Sequence, residues 1–171
     1  SIYEQLLTIP AGGDTPAADA AESCEYDDPS TVTCILRADN KFSNGNDLTS
    51  SDVKFSFERN IAIANPNGAS SLLGSIIDPD SETPQLAEGA IETPDDTTVV
   101  FNLNKPDLTF TKVLSTAATS IVDEETFPAD ELMASDQVVG SGPYSLTQYI
   151  EQQQAVLEAN PANGVFVDAC F

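Results

Sequence analysis

Phe42-Ser-Asn-Gly-Asn-Asp-Leu-Thr-Ser-Ser-Asp-Val-Lys-Phe-Ser-Phe-Glu-Arg59 places a turn, a helix start and a helix stripe in one run. Asn44-Gly45 is a strong turn dipeptide. Leu48-Thr49 then opens the best helix in the chain. Thr49 is a good N-cap, and Asp52, three residues on, completes a capping box and favours the positive end of the helix dipole. Val53, Phe57 and Ile61 recur at i, i+4 and i+8, the spacing of a buried stripe. Arg59 falls in the later turns, where a cation is favoured. Asn65-Pro-Asn-Gly68 ends the helix.

On either side of this helix the pattern changes to hairpins. Ser23 to Arg37 reads as two strands turning at Asp27-Asp-Pro-Ser30, with Val32, Cys34 and Leu36 on one face and Thr31, Thr33 and Ile35 on the other. Ala90 to Asn104 reads as a second hairpin turning at Pro94-Asp-Asp96, with Val99, Phe101 and Leu103 facing one way. Tyr144–Tyr149 and Gln154–Glu158 make a third, ended by Asn160-Pro161. Helical spacing occurs twice more. Ile2, Tyr3, Leu6 and Leu7 fit one or two turns. Phe110, Val113, Leu114 and Ala117 fit a helix over Leu108–Ala118, with Asp107 as its N-cap. Ala17–Glu22 suits a short helix or coil, and Asp123-Glu-Glu125 starts a short helical stretch. Pro10–Pro16 and the acidic Asp78–Pro84 are loops, and Val138–Tyr144 is a glycine-punctuated turn. Hairpins mixed with short helices predict an α+β fold with a mixed sheet.

The chain has 171 residues, 40 % of them apolar, which suits one domain with a sizeable core. Its 28 acidic and 6 basic residues give a net charge of −22. Such a charge repels phosphate backbones and anionic lipid, so no nucleic-acid partner is expected. No apolar run approaches the length of a membrane span. The chain starts at Ser1 and shows no signal peptide, so it is expected to be a mature chain or a fragment whose export signal is lost. Cys24 and Cys34 flank the first hairpin at matching distances from its turn, and Cys170 stands alone. The first two either pair in an oxidising compartment or remain two buried thiols; their polar, strand-like context favours the pair.

Chemistry is sparse. The chain has no histidine, so the usual general base, the Ser-His and Cys-His nucleophile pairs and the commonest metal ligand are absent. Asp78, Asp80 and Glu82 alternate as in a calcium loop, but Thr83 stands where that loop needs glycine and Gly89 where it needs glutamate. Gly140-Ser-Gly142 has its glycines adjacent to the serine, not two residues away, and no Lys-Ser/Thr follows, so it is neither a nucleophile elbow nor a phosphate loop. The carboxylate pairs lie in turns and helix starts that favour acids for local reasons. No catalytic residue, no metal site and no cofactor is expected, and the chain is not expected to be an enzyme.

The Phe42–Arg59 run resembles the signature of family 5 extracellular solute-binding proteins, the oligopeptide, dipeptide and nickel receptors of ABC importers. Four further segments agree in the family's order. Tyr3-Glu-Gln-Leu-Leu7 is similar to its early Y-E-x-L segment. Ala21-Glu-Ser-Cys24 and Cys34-Ile-Leu-Arg37 are similar to its first hairpin, with Cys24 in place of the usual tryptophan and Cys34 on the partner strand, which supports a cross-strand bridge. Glu92–Pro106 is similar to the next hairpin, and Val139-Gly-Ser-Gly-Pro-Tyr144 to V-G-T-G-P-Y. Ala162–Phe171 departs from the pattern.

The resemblance implies part of lobe I of a type II periplasmic-binding-protein-like fold. Residues 1–161 would be a partial lobe I, with a small accessory subdomain over about residues 20–140, and 162–171 a tail of uncertain context. The implied function is the capture of peptides or a similar small solute outside the membrane for an ABC permease. The implied protein is a monomer, held at the cell envelope through a lipid anchor absent from this chain. By the same analogy Ser115, Thr116, Ala117, Ala118 and Thr119, with Tyr3, lie closest to the ligand cleft. Small residues there let a ligand backbone approach. A surface structural or adhesion module is the alternative.

Overall fold

The amino end is held by distant backbone, against its own local pattern. Ile2–Leu7, expected as helix, is irregular, with bends at Tyr3 and Leu6, in the computed structural model, which describes residues 1–63, 65, 70–134 and 136–163. Gly142 N donates to Ile2 O at 2.8 Å, Ile121 N to Glu4 O at 2.9 Å, Ala20 N to Gln5 O at 2.9 Å and Ala21 N to Leu6 O at 3.0 Å. Bonds arriving from three separate regions give this backbone the partners that one isolated helical turn would not retain. The segment leads into β1 (Leu7–Thr8), which pairs antiparallel with β2 (Ala17–Ala18). Within Ala17–Glu22, expected as a short helix or coil, Ala17–Ala18 are strand, Asp19 and Ala20 form a bend, and Ala21–Glu22 begin the next strand.

β3 (Ala21–Asp28) and β4 (Thr31–Leu36) form the first hairpin, with Asp28 Oδ1 accepting the Ser30 N–H at 2.7 Å in the turn. Val32, Cys34 and Leu36 are buried, as their alternation requires. Cys24 lies directly opposite Cys34, and the two sulfurs are bonded at 2.03 Å. α1 (Ser50–Ile63) follows, with Val53, Phe57 and Ile61 buried. The Thr49 backbone N–H bonds Asp52 Oδ2 at 2.8 Å, which is half of the expected capping box; the Thr49 hydroxyl also donates to that carboxylate instead of accepting from the helix. Pro66 to Gly68 of the helix stop lie outside the described residues, as does Cys170.

β5 (Ile91–Asp95) and β6 (Thr98–Asn102) complete a four-stranded sheet in the order β3-β4-β6-β5. Its turn falls one or two residues later than expected, leaving Pro94 in the edge strand, where a missing N–H is tolerated. α1 packs on this hairpin, and Ser50 ties the helix start to it by donating to Asp95 O at 2.6 Å. Phe57, Phe101 and Phe110 stack through the core with successive ring centroids 5.3 Å apart.

The expected helix over Leu108–Ala118 is broken. Only α2 (Phe110–Val113) is α-helical, and a 3-10 turn follows at Ala117–Thr119. Asp107 does not cap α2. It accepts the Thr109 N–H at 2.9 Å and the Ser75 hydroxyl at 2.7 Å. Hydroxyls cause the break. Ser115 donates to Lys112 O, Thr116 to Val113 O and Ser120 to Ala117 O, a local competition that disfavours continued helix. Asp123-Glu-Glu125 is likewise a single turn, closed by Thr126 and Phe127 N–H on Asp123 O.

The third hairpin, β7 (Tyr144–Ile150) and β8 (Gln154–Ala159), is a separate and largely exposed two-stranded sheet. The α+β class holds. Every strand pair among the described residues is antiparallel, so the mixed character expected of the sheet is not seen within them.

Candidate functional site

α1 carries a second face that the hydrophobic stripe hides. Asp52, Ser56 and Asn60 recur at i+4, and each holds backbone of the segment at 118–124. Asp52 Oδ1 accepts the Glu124 N–H at 3.0 Å, the Ser56 hydroxyl accepts the Val122 N–H at 2.9 Å, and the Asn60 amide donates to Ala118 O. Between this face and residues 117–122 lies a groove of about 190 Å³. Arg59, Asn60 and Ile63 form one wall and Ala117, Ala118 and Val122 the other, with the exposed Leu132 at the edge.

Arg59 is held without a carboxylate. Its Nε donates to Pro128 O and a terminal nitrogen to Glu131 O, both at 2.7 Å, and its guanidinium carbon lies 5.3 Å over the Phe127 ring. Tyr3 meets the same ring edge-on, with centroids 6.4 Å apart. Burial pushes the Tyr3 hydroxyl above its ordinary value, against the nearby Arg59 charge, and burial lowers that of Arg59.

The outer wall is anchored by acids. Asp123, 1 % exposed, accepts the Asn44 amide and the Thr126 hydroxyl at 2.6 Å each, and the Asn46 amide at 3.0 Å. The Asn44-Gly45 turn and the segment after the groove are thus one unit. Gly45 has φ of +95°, which suits glycine at that turn. Asp52 is also buried, and burial raises its carboxyl despite the N–H bonds from Glu124 and Thr49. Larger hollows lie elsewhere: one of about 490 Å³ rimmed by Asp47, Asp96, Asp123, Glu124 and Glu125, and one of about 280 Å³ beside Glu4 and Arg37. Residues 115–119 border neither.

A family model described as bacterial extracellular solute-binding proteins, family 5 Middle, matches residues 15–164. The chain belongs to this family. It is 28 % identical over 169 residues to the probable D,D-dipeptide-binding periplasmic protein DdpA of Escherichia coli K12, covering 93 % of this chain and 30 % of that protein. Among solved structures, clavulanic acid biosynthesis oligopeptide binding protein 2 matches with a TM-score of 0.81 at 27 % identity, over 94 % of this chain and 31 % of that one. Haemophilus influenzae OppA, in complex with the peptide RPPGFSPFR, matches with a TM-score of 0.78 at 26 % identity, over 95 % and 33 %. The chain spans about a third of the length of the curated relatives it matches.

Within this family-5 chain the expected site residues divide. Ala117 and Ala118 line the groove. Ser115 and Thr116 lie off it, and Thr119 is 2 % exposed and spends its hydroxyl on Val113 O and Thr116 O. Tyr3 sits behind Arg59, across the Phe127 ring. Arg59 and Asn60 were not expected at the site. Their signal was the polar i, i+3, i+4 set Ser56, Arg59 and Asn60, which borders the apolar stripe on the same helix. The glycines of Val139–Tyr144 are a clamp on the amino end: a Cβ on Gly140 would fall 2.2 Å from Ile2 O, and one on Gly142 2.7 Å from it. No helix among the described residues is long and apolar enough to cross a membrane.

Proposed function

We propose that the chain is part of the substrate-binding component of an ABC importer, which captures a peptide or similar small solute outside the membrane and delivers it to a permease. Residues 1–161 are a partial lobe I, with the accessory subdomain over about 20–140, and 162–171 are a tail whose context this reading does not assign. The observation that carries this reading is the likeness of nearly the whole chain to a receptor solved with a bound peptide, at a TM-score of 0.78. In the proposed receptor a second lobe closes over the groove. Ala117 and Ala118 admit the solute backbone, Ser115, Thr116 and Thr119 hold the loop that presents them, and Tyr3 backs the Arg59 wall. The work is capture without catalysis, by a monomer anchored to the cell envelope by lipid. The Cys24–Cys34 bond supports an oxidising location.

The test is a thermal-shift and calorimetric screen of the full-length receptor against di- to oligopeptides, sugars and nickel. A tight ligand raises the melting temperature by mass action. Silence across all three classes would count against a receptor.

A further inference from the structure

Arg59 is a partly buried cation on the groove wall, and no carboxylate among the described residues pairs with it. Its partners are two neutral carbonyls and an aromatic ring. A guanidinium carries about five N–H donors in a planar fork, so these contacts leave donors unused and bring no opposite formal charge. The Tyr3 hydroxyl does not answer it, because burial keeps the phenol neutral. The neighbouring acids Glu58, Asp130 and Glu131 are exposed and make no ion pair with it. The opposite wall, Ala117, Ala118, Ser120 and Val122, brings no charged group, and the Ser120 hydroxyl donates to Ala117 O. In a chain of net charge −22, an unanswered cation beside a groove is the feature that asks for an anion.

We propose that the groove takes a carboxylate of the solute, either the terminal carboxylate of a peptide or an acidic side chain, and that Arg59 is its counter-ion. This deepens the receptor reading and rests on it. A direct contact pair outweighs repulsion from the outer surface charges, which salt screens over about 10 Å.

Three probes separate the sources: trialanine, trialanine amide, and Ala-Glu-Ala amide. They are titrated by calorimetry into the full-length receptor, as wild type, R59Q and R59K. The wild type binds at least one carboxylate probe about tenfold or more tighter than trialanine amide, the scale of a hydrogen bond to a charged group. Which probe gains tells terminal from side-chain carboxylate. R59Q brings that probe to within about twofold of the amide, and R59K keeps part of the preference. Equal weakening of all three probes in R59Q would mean that Arg59 only holds Pro128 and Glu131, and would overturn the proposal. Parity of the probes in the wild type overturns it without use of any variant and leaves the receptor reading standing. Failure of every ligand in the wider screen removes both.

Discussion

Asp123 shows how one side chain fixes a wall. Burial works against its charge, but donors on Thr126, Asn44, Glu125 and Asn46 outweigh that cost and hold the carboxyl below its ordinary value of 3.8. Asp123→Asn swaps an acceptor for a donor facing donors, and should cost about 1.5–3 kcal/mol by urea unfolding at neutral pH. A group with a depressed folded value contributes stability above its unfolded value and loses it as pH falls through the folded one. The deficit of the variant should therefore hold at neutral pH and shrink below about pH 3.8; a deficit unchanged in acid would show that the charge is irrelevant. Gly140 acts by absence. Gly140→Ala drives a Cβ into the Ile2 carbonyl and should cost about 1–3 kcal/mol or more. Gly74→Ala meets nothing nearer than Ser71 O at 3.7 Å and should stay within about 0.5 kcal/mol. Equal costs at the two glycines would refute the clamp.

Elements differ in how far their own residues determine them. α1 and the three hairpins were readable because their signals are local: the Thr49–Asp52 pair, the Val53–Phe57–Ile61 stripe, and alternation at Val32, Cys34 and Leu36. Ile2–Leu7 was not, since its partners are Gly142, Ile121 and Ala20, and no window of a few residues contains them. Leu108–Ala118 had the right apolar spacing, but its serines and threonines return their hydroxyls to the backbone and cut the helix short. The groove followed the same rule. Alanines 117 and 118, which line it, belong to a segment singled out by likeness to the family, whereas the place of Arg59 on its wall depends on the loops carrying Pro128 and Glu131, which lie far from it in sequence. The first hairpin carries its own test. Closing an 11-residue loop through Cys24–Cys34 should contribute about 2.8 kcal/mol in the chain-entropy view. Reductant should add the mass of two hydrogens and lower the unfolding midpoint by the corresponding amount. Two thiols labelled without reductant in the folded protein would contradict the bond.

At the scale of the whole molecule, charge outweighs every other surface property. Twenty-eight acids face six bases, and only Arg37–Glu4 and Lys41–Asp47 form ion pairs among the described residues. Self-repulsion on such a surface lowers the stability of the compact state, and dissolved salt screens it. Burial adds to this by raising the carboxyls of Glu4, Asp19 and Asp52, where Asp19 also repels Glu4. For an acid raised on folding, the native state takes up its proton first, so stability falls as pH climbs from the unfolded value through the folded one. Screening and mild acidification should therefore both stabilise the chain. The melting temperature should rise steadily from dilute buffer to molar KCl, by about 3 °C for each kcal/mol of repulsion relieved in a chain of this size. KCl and NaCl should act alike, because screening depends on ionic strength. The rise should be smaller at pH 5 than at pH 7, since part of the repulsion is already gone. A melting temperature that is flat or falling in KCl would mean that the surface charge lies too far apart to matter, and an effect of K⁺ without one of Na⁺ would point to bound ions in place of screening.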